Sequence, residues 1–377
     1  MTSTLPPSHT PTPTPSLPHA HTPTSSRPPA HTPTPIPPTP TPTPPPQGGH
    51  IVEVGLAEVA TLNPLLAADD DDLSRAVGEL LFDGLLRLHP QTAALLPGLA
   101  RDWQVSPDGR TFTFHLRSDV TWHDGQPLTA ADVVFTLGVA GDPQGPSPYR
   151  LDLAGVAQLT APTEATVNVT LGQPGCDAPY AVGRVPILPR HLLEGKDLVE
   201  AAFNQQPVGS GPFRFVAWDP QQGLALKVNE NYWAGRPYLD GWTYRLAPNV
   251  TALQDELRLG HAHLARWPAG LETASLPDDW QVIAYPADGW YFLALNNDGP
   301  ILDDATVRQA LALALDRERL LDLALDGQGT LMDAPWLATH WALDRASLSP
   351  LEYDPEGARR LLAEAGWRDD DEDGLLE

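Results

Sequence analysis

PGLARDWQVSPDGRTFTFHLRSDVTWHDGQPLTAADVVFTL, running from Pro97 to Leu137, contains a turn, an alternating strand, a second turn and a capped helix in direct succession. Between Arg110 and Arg117, Phe112, Phe114 and Leu116 fall on one side, and Thr111, Thr113 and His115 on the other. That period of two marks a strand buried on one face. Pro107-Asp108-Gly109 precedes it with turn chemistry, and Trp122-His123-Asp124-Gly125 forms the next turn, with Trp122 expected to pack beneath it. Thr129 then stands as a helix N-cap with Asp132 three residues on, the spacing of a capping box.

Working outward, His50–Val59 reads as a first strand closed by Leu62-Asn63-Pro64. After the acidic run Asp69–Asp72, apolar residues at three-to-four spacing (Leu73, Val77, Leu80, Leu81) predict an amphipathic helix over Leu73–Leu88, broken near its end by Gly84. Ala165–Leu171 and Leu224–Asn229 read as short strands, and Pro207–Phe215 as a glycine-rich turn entering a strand. Beyond Arg245 the pattern lengthens into helices. Asp303–Leu325 has Gly327 as its stop. Asp354–Ala365 has Asp354 as cap, Pro355 at the first helical position and Gly366 as terminator. The change at Arg245–Asn249 is the candidate hinge between two lobes, and the mixture of short strands and helices predicts an α/β architecture of sheets flanked by helices.

Composition narrows the function. Residues 1–49 carry 18 prolines, many threonines and one charged residue, Arg27. Such a tract lacks the amide donors and apolar periodicity of a core, so it is expected to be a disordered, semi-rigid tether. The net charge of −25 favours solubility, and the absence of a Lys/Arg stripe argues against a nucleic-acid partner. Cys176 is the only cysteine, so the chain has no internal disulfide and no cysteine-based zinc site. No apolar run reaches the length of a membrane helix. Met1 leads straight into the tract, and an upstream signal with a lipid anchor is expected.

Ordered pieces along the chain resemble the extracellular solute-binding proteins of ABC importers, family 5, the peptide- and nickel-binding branch. They are LNPL (62–65), ELLFDGLL (79–86), PGLARDW (97–103), FTFHLR (112–117), WHDGQPLTAADVVFTL (122–137), PVGSGPFRF (207–215) and NYWAGRPYLDG (231–241). FLALNN (292–297), VRQALALALDRERL (307–320) and YDPEGARRLLAEAGW (353–367) follow in the family's order. The resemblance implies a two-lobe, periplasmic-binding-protein-like fold of type II, with an extra subdomain in lobe I and the ligand enclosed between the lobes. It places the tether at 1–49, lobe I with its subdomain at 50–247 and part of lobe II at 248–377. Glu377 falls within lobe II, so that lobe is expected to be incomplete here. The stretch that supplies the family's anchoring Asp and Arg is expected beyond it.

The implied activity is capture of peptides and delivery to a membrane permease, by an extracellular or periplasmic monomer tethered to the cell membrane, without catalysis or cofactor. Nickel chelates, oligosaccharides or another small solute are the alternative cargo, and a non-functional fragment is the further alternative. Matching segments nominate Asp72 (with the loop from Asp69), Tyr149, Arg266, Trp267, Trp290 and Phe292 as ligand-lining, with Trp290 and Phe292 alternating on a strand before Asn296. Gly209 and Gly211 are expected to permit a tight turn. Gly209-Ser210-Gly211 is not a nucleophile elbow, which needs Gly-x-Ser-x-Gly. Asp369, Asp371, Asp373 and Gly374 have calcium-loop spacing without the closing Glu, and His261-x-His263 lacks a third ligand, so no metal site is assigned.

Overall fold

A computed structural model describes residues 46–90, 92–175, 177–266, 280–283, 291–327, 329–335 and 343–370. Strand β1 (His50–Gly55) lies inside a five-stranded sheet with β8 (Phe213–Asp219), β9 (Gly223–Val228), β10 (Gly241–Leu246) and β11 (Leu264–Ala265), in the order β11-β1-β10-β9-β8. β1 runs parallel to both neighbours, with Ile51 opposite Trp242 and Glu53 opposite both Tyr244 and Leu264. A four-stranded antiparallel sheet orders β4 (Ala100–Val105), β5 (Thr111–Leu116), β7 (Thr166–Leu171) and β6 (Val156–Thr163) as β4-β5-β7-β6. β2 (Leu86–Leu88) and β3 (Leu95–Pro97) form a separate two-stranded ribbon.

The quoted stretch folds as its pattern predicts. β5 buries Phe112, Phe114 and Leu116, and its other face is half-buried. Trp122 is 1% exposed beneath its turn, where Gly125 takes φ +91°. Helix α2 (Ala130–Ala140) starts at Thr129, whose N–H donates to Asp132 Oδ2 at 2.8 Å. Asp132 Oδ1 accepts from the Arg190 N–H at 3.0 Å, at the start of α4 (Arg190–Leu193), just after α3 (Ala178–Gly183). One buried carboxylate thus satisfies two backbone donors from two helix starts. Asp132→Ala is expected to lower stability by about 2 kcal/mol, read as a reduced urea midpoint at unchanged slope.

The first helix is shorter than its periodicity predicts. α1 (Asp72–Leu81) begins at Asp71, whose Oδ1 accepts from the Ser74 N–H at 2.9 Å, and it ends at the extended residue Phe82. The next residue is committed elsewhere. The Asp83 carboxylate accepts from Tyr232 Oη at 2.8 Å and Trp233 Nε1 at 3.0 Å. Gly84 lies close against the Gly183 carbonyl, and Leu86–Leu88 pairs with β3 instead of extending the helix. Burial holds the Asp83 pKa above the ordinary carboxylate value despite those donors. Arg87 and Arg117 both stack on the Trp233 ring, at 5.0 and 4.4 Å.

The predicted Asp303–Leu325 helix is two helices, α6 (Ala305–Ala314) and α7 (Arg317–Leu325). Leu315 turns extended, and Asp316 caps the second helix by accepting from the Arg319 N–H at 2.9 Å. α8 (Pro355–Glu364) begins at Asp354 as its pattern predicts, and Gly366 beyond it takes φ +95°. Val307, Ala310 and Ala358 are buried where α6 meets α8.

The break in pattern at Arg245–Asn249 is the start of α5 (Val250–Arg258), capped by Asn249. The chain then returns to the same sheet, where β11 pairs with β1, so that sheet extends to Ala265. Val54, Ala247, Leu253, Leu257 and Ala262 form the small core under α5.

Candidate functional site

The face of the large sheet that carries Ile51, Glu53, Trp242 and Tyr244 is overhung by α1. Between them lies a cavity of about 350 Å³. Leu73, Val77 and Leu80 line it from α1, Ile51 and Trp242 from the sheet, and Phe213 from the start of β8. Its ionisable lining residues are Glu53, Glu79 and Arg266.

Glu53 is the electrostatic centre of this cavity. Its side chain is 5% exposed, and both oxygens are engaged. Oε2 accepts from Trp242 Nε1 at 3.1 Å and Oε1 from Arg266 Nε at 2.8 Å. Without these donors a carboxylate so buried would be costly. Trp242 stacks on Tyr244 with centroids 6.1 Å apart. Burial, reinforced by the Glu53 charge, pushes the Tyr244 phenol up to about 12. Its hydroxyl donates to the Ala57 carbonyl at 2.5 Å. Arg266 is the first residue after β11, where the chain leaves the sheet, and 40% of its side chain remains exposed. An indole, a carboxylate and a guanidinium are therefore linked in series, ending in a partly exposed cation at the cavity.

Of the residues nominated from sequence, Arg266 lies in this cavity. Asp72 is on the first turn of α1, 72% exposed and ion-paired with Arg75, outside the cavity lining. Tyr149 sits in the single turn Pro148–Arg150, half-buried against the main core and also outside the lining. Burial raises its phenol pKa, offset in part by Arg184 and Arg75. Phe292 is 67% exposed in 291–296, which carries no strand. Trp267, Trp290, Cys176 and the calcium-like residues Asp371, Asp373 and Gly374 lie outside the described residues. His263 accepts from the Val52 N–H through Nδ1 at 3.0 Å, and His261 faces Glu256 at 3.6 Å. No cluster of three potential metal ligands occurs among the described residues.

Sequence reasoning missed Glu53 and Trp242. The available signal was an acidic residue inside the apolar strand HIVEVG, three residues before the chain turns away.

The fold, with parallel strands on both sides of β1 and a separate antiparallel subdomain, is that of a type II periplasmic binding protein. Residues 94–376 match the family described as bacterial extracellular solute-binding proteins, family 5 Middle, and the chain belongs to that family. It is 31% identical over 341 residues to the oligopeptide-binding protein AppA of Bacillus subtilis (strain 168), covering 88% of this chain and 62% of AppA. Among solved structures it is similar to AppA from Bacillus subtilis in complex with a nonapeptide, with a TM-score of 0.67 and 29% identity over 88% of this chain and 67% of that one. It is likewise similar to NikZ from Campylobacter jejuni in complex with Ni(L-His), with a TM-score of 0.69 and 28% identity over 87% and 65% of the two chains. The chain thus spans less than two thirds of the length of the full AppA sequence. No helix among the described residues is long and apolar enough to cross a membrane.

Proposed function

We propose that this chain is the ligand-capturing part of an importer receptor, which takes a peptide into the cleft beside β1 and presents it to an ABC permease without chemical change. The observation that carries this reading is the Glu53–Arg266 pair beneath α1, because it puts a fixed hydrogen-bond donor beside an open apolar cavity in a family 5 chain. The oligopeptide-binding relative supports a peptide cargo. Lobe I then includes α5 and β11, because β11 pairs with β1 in the large sheet. The cleft acts outside the cell membrane as a monomer, with residues 1–49 as tether.

A thermal-shift screen tests the assignment. Tri- to pentapeptides at millimolar concentration are expected to raise Tm in a concentration-dependent way, because ligand binding to the native state stabilises it. A shift with nickel–histidine and none with any peptide would replace peptides by a metal chelate as cargo, the ligand class seen in NikZ.

A further inference from the structure

One edge of the large sheet is fastened by a side chain. β11 is two residues long and stands at the edge, against β1. Just ahead of it, two hydrogen bonds join Val52 to His263. The His263 N–H donates to the Val52 carbonyl at 2.8 Å, and the Val52 N–H donates to His263 Nδ1 at 3.0 Å. A titratable ring thus supplies the acceptor that a main-chain carbonyl supplies in an ordinary ladder. Because Nδ1 accepts, the ring is neutral here and its proton resides on Nε2. His263 is exposed, so solvent reaches the ring. The backbone that presents it is fixed from the α5 side. His261 N–H donates to the Glu256 carbonyl at 2.9 Å, and Ala262 is buried in the small core under α5.

The charged groups around this rung are committed elsewhere. β1 contributes His50 and Glu53, α5 contributes Asp255, Glu256 and Arg258, and the segment of His263 itself contributes His261 and Arg266. His50 bonds to Thr243 on β10, Glu53 pairs with Arg266, Asp255 with Arg258, and Glu256 with Arg245 and His261. None of them forms an ion pair with His263.

We infer that His263 is an acid-sensitive catch for β11. Imidazole gains its second proton between neutral and mildly acidic pH. With Nδ1 protonated, the ring turns a donor toward the Val52 N–H, the bond between them is lost, and the short edge strand is released from β1. Arg266 follows β11 directly, so the guanidinium bonded to Glu53 at the cavity loosens with the strand. The catch does not depend on which solute the receptor takes.

Amide hydrogen exchange on the full chain, at about pH 7.5 and about pH 5.5, tests the catch, with each rate expressed as protection relative to the free-chain rate at that pH. The Val52 and His263 amides are both expected to lose protection about fivefold at the lower pH. His263→Asn keeps an acceptor near the Nδ1 position and does not titrate in this range, so both amides are expected to hold the same protection at the two pH values. His261→Ala is the control, in which the pH response is expected to persist. Unchanged protection of Val52 in the parent overturns the catch, as does a loss that survives in His263→Asn or disappears in His261→Ala. A loss at Val52 without one at His263 would mean a broken bond with β11 still in place, and overturns it as well.

Discussion

Gly209→Ala is expected to cost about 3 kcal/mol or more and to leave little soluble folded protein, because the space for a methyl group at this position is occupied by backbone. A Cβ there would stand 1.7 Å from the Leu81 carbonyl oxygen, 2.7 Å from its carbon and 3.2 Å from His123 Cε1. Two residues on, a Cβ at Gly211 would stand 2.6 Å from the Leu81 carbon and 2.7 Å from the Leu80 oxygen. The glycine-rich loop therefore passes directly against the last turn of α1, and Gly211 N–H donates to the Leu81 carbonyl at 2.9 Å. Neither glycine takes a left-handed φ. They serve close approach of two backbones, not the turn geometry that the PVGSGPF pattern suggests. A flexible side-chain tip would yield to a new methyl, but a backbone carbonyl at the end of a helix, hydrogen-bonded by the Gly211 N–H, does not. Urea unfolding checks the prediction, with Gly138→Ala as the matched control. Gly138 is exposed in α2 with no atom within 4 Å of its Cβ position, and there the same change is expected to raise stability by about 0.5–1 kcal/mol. A Gly209→Ala protein as stable as the parent would show that the loop does not pack as described.

What could be read from the sequence was local, and what escaped it was set by partners far along the chain. β5 and the capped start of α2 depend on residues within a few positions of each other, so alternation and capping chemistry located them. α1 is shorter than the Leu73–Leu88 periodicity because nothing within that stretch announces that Asp83 is held by Tyr232 and Trp233, about 150 positions away. The pattern change at Arg245–Asn249 is a change from strand to helix. Sheet membership, however, is decided by β11 pairing with β1, a contact between residues more than two hundred positions apart. The candidate site divides along the same line. Arg266 was reachable through family resemblance. Glu53 sits where alternation assigns a solvent-facing side chain, and it is buried only because α1 covers that face and Trp242 and Arg266 supply its donors.

The sharpest pH response in this fold is expected from His123, which loses stability for the protein as pH falls from about 6.5 to about 4. Its ring bridges the glycine loop. Nδ1 accepts from the Gly209 N–H at 3.1 Å, so the proton resides on Nε2, which donates to the Gly211 carbonyl at 3.1 Å. Protonating Nδ1 would set one donor against another inside the core. Burial depresses the pKa from 6.5 to about 4, with the Gly211 carbonyl and Asp124 opposing that shift and Arg214 adding to it. The sign follows from proton binding. Between the two values the unfolded chain takes up a proton that the folded chain refuses, so stability present above pH 6.5 is lost on acidification, to a total of about 3 kcal/mol once pH nears 4. The raised pKa of Asp83 works in the opposite sense at the acid end, because there the folded state binds a proton more readily than the unfolded chain. His123→Asn retains an acceptor near the Nδ1 position and removes the titration. Its urea-derived stability is expected to start lower at pH 7 and to fall less than the parent's between pH 6.5 and 4.5. A histidine ring resonance that titrates near pH 4 in the parent and is missing from His123→Asn would locate the effect. A His123 resonance titrating at 6 or above would mean that the ring is hydrated and that the glycine loop is not closed over it.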